Sequence, residues 1–289
     1  YPAGGGRGGP PPPHGRGLTH IFNKIFFREA MMNCKDKRVL ITGASSGIGA
    51  ACAEIFAEHG AKLLLCARNE KNLQSIQREL IEKYSASVEI IVLDVSDFKA
   101  VENALGNLSE EWRNIDILVN NAGLALGLEK IHEANPDDWE RMIDTNIKGL
   151  LYVSRHILKH MVKRNSGHVI NIGSISSHNV YSGGVVYCAT KHAENAISQG
   201  MKMDVHGTKI RVSTVDPGMV NTNFLLTRFS GDQEKASEVY KGMTPLSAED
   251  VADAVFYCAT RKPHVNILEL IIYPTDQSAL HLTARHTGD

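Results

Sequence analysis

The chain has 289 residues, 43% of them hydrophobic, which is enough for one large α/β domain or two small ones. Lys plus Arg number 31 against 32 Asp plus Glu, a formal net charge of -1 that provides no field for nucleic acid or an anionic membrane. No apolar run approaches the roughly 18 residues of a membrane helix, and five scattered cysteines without a CxxC pair suit a reducing compartment better than a disulfide framework.

In chain order, residues 1–17 (YPAGGGRGGPPPPHGRG) are Gly and Pro with Arg7 and Arg16 and no acid. Such a segment cannot bury a core and reads as a disordered extension. Residues 18–36 open with LTHIFNKIFFREAMM, in which Leu18, Ile21, Phe22, Ile25 and Phe26 recur at helical spacing around Lys24 and Arg28. This amphipathic leader, whose first acid is Glu29, is compatible with mitochondrial targeting; a short helix packed on a cytoplasmic protein is the preferred reading.

Residues 37–289 carry the pattern of a single globular domain. Seven short apolar runs read as buried strands: RVLIT at 38–42, KLLLCA at 62–67, VEIIVL at 88–93, IDILVN at 115–120, HVINIG at 168–173, KIRVSTV at 209–215 and ILELII at 267–272. Longer amphipathic segments separate them, among them 49–60, 71–84, 139–164 and 189–203. Strands buried on both faces and followed by helices predict a doubly wound seven-stranded parallel sheet in a single domain. Ligands of such sheets lie outside the carboxyl ends of the strands.

The first strand runs into TGASSGIG, Thr42 to Gly49, and then a helix. Glycines let the backbone turn tightly and approach an anion, and the helix start offers free N–H groups. The GxxxGxG spacing fits neither GxGxxG nor the phosphate loop of nucleotide triphosphatases. The second strand ends in CARN, with Arg68 where an acid would hold the ribose hydroxyls of NAD. A guanidinium pairs with a 2′-phosphate, so NADP is the expected cofactor. Asp97 is expected to cap a helix, and Trp112 and Trp139 to anchor packing.

In YCATK, Tyr187 and Lys191 are one helical turn apart and share a face. A cation there favours a phenolate and makes the tyrosine a usable acid or base. His156 and His160 also stand four apart, but Ile157 occupies the place where a zinc-protease motif needs Glu, so no metal is expected. Residues 223–245, between a strand and a helix, are placed as a substrate lid, with Arg228 a candidate for pairing a carboxylate.

Together these motifs resemble the short-chain dehydrogenase/reductase family over about residues 37–276. The likeness rests on TGASSGIG, Asp94, NNAG at 120–123, Asn146 in DTNIKG, Ser174 in NIGSIS, Tyr187 with Lys191, and PGMVNT at 217–222. FLLTRFSGDQEKASEVYKGMTPLSAEDVADA and the ending IIYPTDQ resemble the NADP-dependent 3-hydroxy acid (serine-type) dehydrogenases. The resemblance implies a Rossmann-like fold and a catalytic tetrad of Asn146, Ser174, Tyr187 and Lys191, with Asn146 holding a water that relays protons to Lys191. It implies a cofactor site of Gly43, Ser45, Ser46, Gly47, Ile48, Gly49, Arg68, Asp94 and Val95. Asn120, Ala122, Gly123, Tyr187, Lys191, Pro217, Gly218, Val220 and Thr222 complete it.

Substrate contacts are expected from Ser174, His178, Val185 and Arg228. Ser46 stands where many NADP-preferring relatives carry a base, and Val185 where the 3-hydroxy acid subgroup carries Asn. The implied activity is hydride transfer between NADP and a small 3-hydroxy acid or its oxo form, by a homotetramer or homodimer joined through 138–164 and 188–203. The alternatives are a carbonyl or ketoacyl reductase with a larger apolar substrate, and an NADP-binding regulator without turnover.

Overall fold

A computed structural model describes residues 34–286, so the extension 1–17 and most of the leader 18–36 lie outside the described residues. Seven strands form one parallel sheet: β1 (Arg38–Thr42), β2 (Lys62–Ala67), β3 (Val88–Val92), β4 (Ile117–Asn120), β5 (Gly167–Ile172), β6 (Ile210–Pro217) and β7 (Glu269–Ile272). Their order is β3-β2-β1-β4-β5-β6-β7. It reverses beside β1, whose Leu40 pairs with Leu64 of β2 on one side and Leu118 of β4 on the other. That switch opens the crevice in which such sheets bind ligands.

Period-2 alternation divides the strands between two cores. Val39, Ile41, Leu63, Leu65, Val119 and Ile170 face one layer, where α1 (Gly47–Glu58), α2 (Glu70–Tyr84) and α9 (Ala248–Ala259) bring Phe56, Leu73 and Val255. Leu40, Leu64, Leu118, Val169 and Val212 face the other. There they meet α3 (Phe98–Gly106), α5 (Leu150–Arg164) and α6 (Val185–Asp204) through Val101, Leu105, Val153, Ile157 and Met201. Each fully buried side chain of this kind contributes about 1.5 to 3 kcal/mol. Asp97 caps α3 by accepting from Ala100 N–H, and Trp112 is fully buried, both as expected.

The seven strands appear where the sequence places them, with ends shifted by one or two residues; β6 extends through Pro217 and β7 begins at Glu269. The segment read as one helix from 139 is divided into α4 (Pro136–Ile143), a π-helical stretch (Asp144–Gly149) and α5. Two short helices, α7 (Phe224–Arg228) and α8 (Gln233–Glu238), occupy the expected lid. A small antiparallel pair, β8 (Gln277–Ala279) and β9 (Leu282–Thr283), was not expected. All five cysteines are free and buried. Among the described residues no helix is long and apolar enough to cross a membrane.

Candidate active site

A cavity of about 830 Å³ opens at the carboxyl ends of β1, β2, β4, β5 and β6, within the usual range for small-molecule and cofactor sites. Its first wall is the glycine turn. Gly43 has φ +65°, and a Cβ there would lie 2.8 Å from Asn121 Nδ2; a Cβ on Gly49 would lie 2.4 Å from the Gly43 carbonyl. Neither position admits a side chain. Ser46 precedes α1 with extended backbone, makes no side-chain cap, and no acid stands in the first turn. The start of α1 therefore keeps its positive end for an anion, and Ser45, Ser46, Gly47 and Ile48 line the cavity around it.

At the far end, Arg68 Nη1 lies 3.7 Å from Asp94 Oδ2, and both side chains are well exposed. Burial works against the Asp94 carboxylate, but bonds from the Ser96 hydroxyl and N–H, with Arg68, outweigh it and hold the group below the ordinary range. Asn69 caps α2 by accepting from Asn72 N–H, and Lys71 on the first turn adds a second cation to the rim. The sequence reading missed Lys71, although its place three residues after Arg68 in a helix start was visible.

Between these ends Thr42 Oγ1 accepts from the N–H groups of Asn121 and Ala122, and Asn121 Nδ2 donates to the carbonyls of Thr42 and Gly43. Asn121, Ala122 and Gly123 line the cavity. Asn120, expected among the cofactor contacts, does not. Its side chain lies buried under the sheet, donating to Ser154 Oγ and Asn171 Oδ1. This placement follows from the alternation of a strand end, which turns neighbouring residues to opposite faces. Gly49 is also absent from the lining, because it packs beneath Gly43.

The central residues come from three elements. Ser174, just past β5, accepts from Ser176 N–H at 3.1 Å and starts the 3-10 turn Ile175–Ser177. Tyr187 and Lys191 rise one turn apart from α6, both buried and both lining the cavity. Asn146 lies in the π-helical stretch, a rare conformation that recurs at functional sites. It donates to the Leu124 carbonyl and Thr190 Oγ1 and accepts from Leu124 N–H, at 2.9 to 3.0 Å. Both amide hydrogens are thus engaged in clamping the NNAG turn to α6, and Asn146 itself does not line the cavity.

Lys191 Nζ donates to the Ile172 carbonyl and to Glu194 Oε2, each at 2.8 Å. Burial pushes the ammonium down, but Glu194 leads the charges that outweigh it and the group stays raised. On β6, burial raises the Asp216 carboxyl to about 6 against the opposing pull of His178. His178, expected as a substrate contact, is outside the lining and instead sits with Nε2 2.8 Å from Asp216 Oδ2 and 3.4 Å from Glu269 Oε1. Val185 is likewise outside it, on a small side pocket near Trp139 and Met142.

The segment that begins α7 packs on the tyrosine. Phe224 lies with its ring 5.7 Å from that of Tyr187, and Asn223, Phe224 and Thr227 line the cavity. Arg228, 7% exposed, sits with its guanidinium 5.6 Å from the Tyr187 ring centre and 5.3 Å from that of Tyr181. Nε donates to the Gly127 carbonyl and Nη1 to Tyr181 Oη, while Nη2 is buried with no partner. On the opposite side a Cβ on Gly218 would lie 2.5 Å from Gln277 Oε1, so the Pro217–Thr222 turn closes directly on the C-terminal segment.

An uncapped helix start, a glycine cradle that no side chain can enter and a guanidinium after β2 fit a phosphorylated dinucleotide, with Tyr187 at the other end. The chain matches the family model described as short chain dehydrogenase over residues 37–233. It is 45% identical over 250 residues to an NADP-dependent 3-hydroxy acid dehydrogenase of Salmonella typhi, covering 86% of this chain and 99% of the relative. It is 40% identical over 240 residues to a serine 3-dehydrogenase of Agrobacterium fabrum, covering 83% and 94%. A closed form of serine dehydrogenase complexed with NADP+ superposes with a TM-score of 0.80 at 43% identity, covering 86% of this chain and 100% of that structure.

Proposed function

The chain belongs to the short-chain dehydrogenase family, and we propose that it transfers a hydride between NADP and a small 3-hydroxy acid, such as serine or a 3-hydroxyisobutyrate-like compound, or its oxo form. One observation supports the substrate class: Arg228 lies just behind the cavity lining, with its guanidinium 5.6 Å from the Tyr187 ring centre and Nη2 buried without a partner, a donor left for a carboxylate on the molecule whose hydroxyl meets the tyrosine. When bound, NADP supplies the nicotinamide carbon that accepts or returns the hydride.

The residues divide the remaining work. The amides at the start of α1, from Ser45 to Ile48, hold the pyrophosphate; Arg68 with Lys71 takes the 2′-phosphate. Asp94 and Val95 would hold the adenine, Ala122 and Gly123 its ribose, and Pro217, Gly218, Val220 and Thr222 the nicotinamide side, since all of them line the cavity. Tyr187, as phenolate, accepts the alcohol proton in oxidation and gives it back in reduction. Lys191 stabilises that phenolate, and Ser174 Oγ donates to the substrate oxygen as its charge develops. Asn146 keeps the NNAG turn and α6 in fixed relation through Leu124 and Thr190.

Steady-state turnover with NADP and a panel of hydroxy acids tests the reading. Tyr187→Phe should lose about 10² to 10⁴ in kcat, the share of general acid-base catalysis, with cofactor affinity retained. Wild-type protein that binds NADP without oxidising any member of the panel would point to the regulator instead.

A further inference from the structure

Lys191 is a charge in a dry place: its side chain is 8% exposed, and 2.8 Å away stands Glu194, whose side chain is 4% exposed. Both belong to α6, at the i,i+3 spacing that brings side chains together. A buried carboxylate with so little solvent is retained only when paired. Here its partner is the cation beside the tyrosine.

We propose that Glu194 is a positioning residue of the hydride-transfer site, a buried counter-ion that keeps Lys191 an ammonium and fixes it between the Ile172 carbonyl and Tyr187. The proposal rests on the dehydrogenase reading above. An ammonium has three N–H donors, and the Ile172 carbonyl and Glu194 take two of them. One remains for the tyrosine side of the cavity. Burial alone drives a lysine toward its neutral form, and a neutral amine no longer stabilises a phenolate.

The other charged groups around the pair do not replace Glu194. Asp216, on β6, acts on both Lys191 and Glu194, but its Oδ2 is already engaged by His178, which also faces Glu269 of β7. Tyr187 itself is the group to be ionised. From β5 comes only the Ile172 carbonyl, which accepts a hydrogen bond without supplying a charge. The Glu194 backbone is held as well: Ser198 Oγ donates to its carbonyl and in turn accepts from Asn171 Nδ2, the start of a buried polar chain that continues to Asn120 and Ser154.

The test is the pH profile of kcat for NADP-dependent hydroxy acid oxidation between about pH 6 and 11, where loss of an essential protonated group appears as an alkaline limb. In Glu194→Gln the shape and two hydrogen-bonding groups remain but the charge is gone. The alkaline limb should move at least about one pH unit below that of wild type, a tenfold loss at the alkaline end relative to the plateau. Glu194→Asp keeps the charge at greater reach, and its limb should fall between the two. NADPH affinity, read by fluorescence, should stay within about threefold of wild type in both, since neither change touches the glycine cradle.

A uniform loss of rate at every pH, or profiles superimposable on wild type, overturns the proposal, because a merely structural carboxylate would not move the limb. If Glu194→Gln yields no folded protein, the Glu194→Asp profile decides alone by the same criterion. Wild-type turnover separates the two levels. Its absence sinks the dehydrogenase reading, whereas its presence with an unmoved limb sinks only the role of Glu194.

Discussion

Arg211 and Arg228 are each 7% exposed, yet the protein uses the two cations in opposite ways. Arg211, on β6, donates through Nη1 to the carbonyls of Cys258 and Val265 and through Nη2 to that of Ala259. Two of these are the last carbonyls of α9, where a cation meets both the unpaired acceptors and the negative end of the helix. Both terminal nitrogens are engaged by main-chain carbonyls. Arg228, at the end of α7, satisfies Nε and Nη1 but keeps Nη2 unpartnered beside the Tyr187 ring. A buried donor without an acceptor costs about 1 to 3 kcal/mol. The difference teaches that burial alone does not say what a charge is for; Trp112 Nε1 and Arg164 Nη1 are also buried without partners, so what sets Arg228 apart is an unpaired donor on a guanidinium 5.6 Å from the Tyr187 ring centre.

The comparison breaks first at Arg211. Replacement by Met keeps an apolar stem but strips two buried carbonyls and one part-buried carbonyl of their donor, and the expected loss of stability is about 3 to 5 kcal/mol. For a domain of this size that is a fall of about 10 °C in Tm, followed by calorimetry or circular dichroism. The protein that remains folded at low temperature should keep its ratio of activity on hydroxy acids to activity on simple alcohols. A shift in that ratio would mean that Arg211 is not purely structural.

Arg228→Ala should give the converse pattern. Losing a charge-assisted contact to the substrate carboxylate costs about 1.5 to 3 kcal/mol, or roughly 10- to 100-fold in kcat/KM for 3-hydroxy acids. Simple alcohols, which bring no carboxylate, should be nearly unaffected. Equal losses on both classes would assign Arg228 to holding the lid through Gly127 and Tyr181, and the substrate class would have to be argued from elsewhere.

How much of this was legible beforehand depends on the kind of signal. The strands were readable because a sheet covered on both faces writes near-continuous apolar runs, and the glycine turn because Gly43 and Gly49 have no alternative. Tyr187 and Lys191 announced themselves by spacing. Asn120 lies behind the lining and Asn121 on it, because a strand end alternates faces and pattern alone does not fix which of two adjacent asparagines turns to the cavity. The surroundings of His178 were equally hidden: the acids that engage it, Asp216 and Glu269, lie 38 and 91 positions away in sequence and become neighbours only through β6 and β7. Glu194 stood in plain view at i+3 from Lys191, but a charged pair on a helix ordinarily means a solvated face, and only packing reveals that this one is dry. The break of one long helix into α4, a π-helical stretch and α5 leaves no mark in hydrophobic periodicity.

The smallest effect, and the finest division between the two arginines, lies at Tyr181. Its hydroxyl accepts from Arg228 Nη1 at 2.6 Å, and burial pushes its pKa up to about 12 despite the guanidinium, so the phenol stays neutral. A neutral phenol accepts through its oxygen and still has a hydrogen to donate. Tyr181 thus orients the guanidinium from just behind the cavity lining. Tyr181→Phe keeps the ring under the cation and removes only the hydroxyl. It should lower stability by about 1 kcal/mol and reduce kcat/KM for hydroxy acids by roughly two- to tenfold, with alcohols unchanged. If the variant instead bound hydroxy acids more tightly, the released Nη1 would be the better partner for the substrate, and the hydroxyl would be competing for Arg228 rather than aiming it. Arg211 has no counterpart to this test, since each of its acceptors is a main-chain carbonyl that no substitution removes.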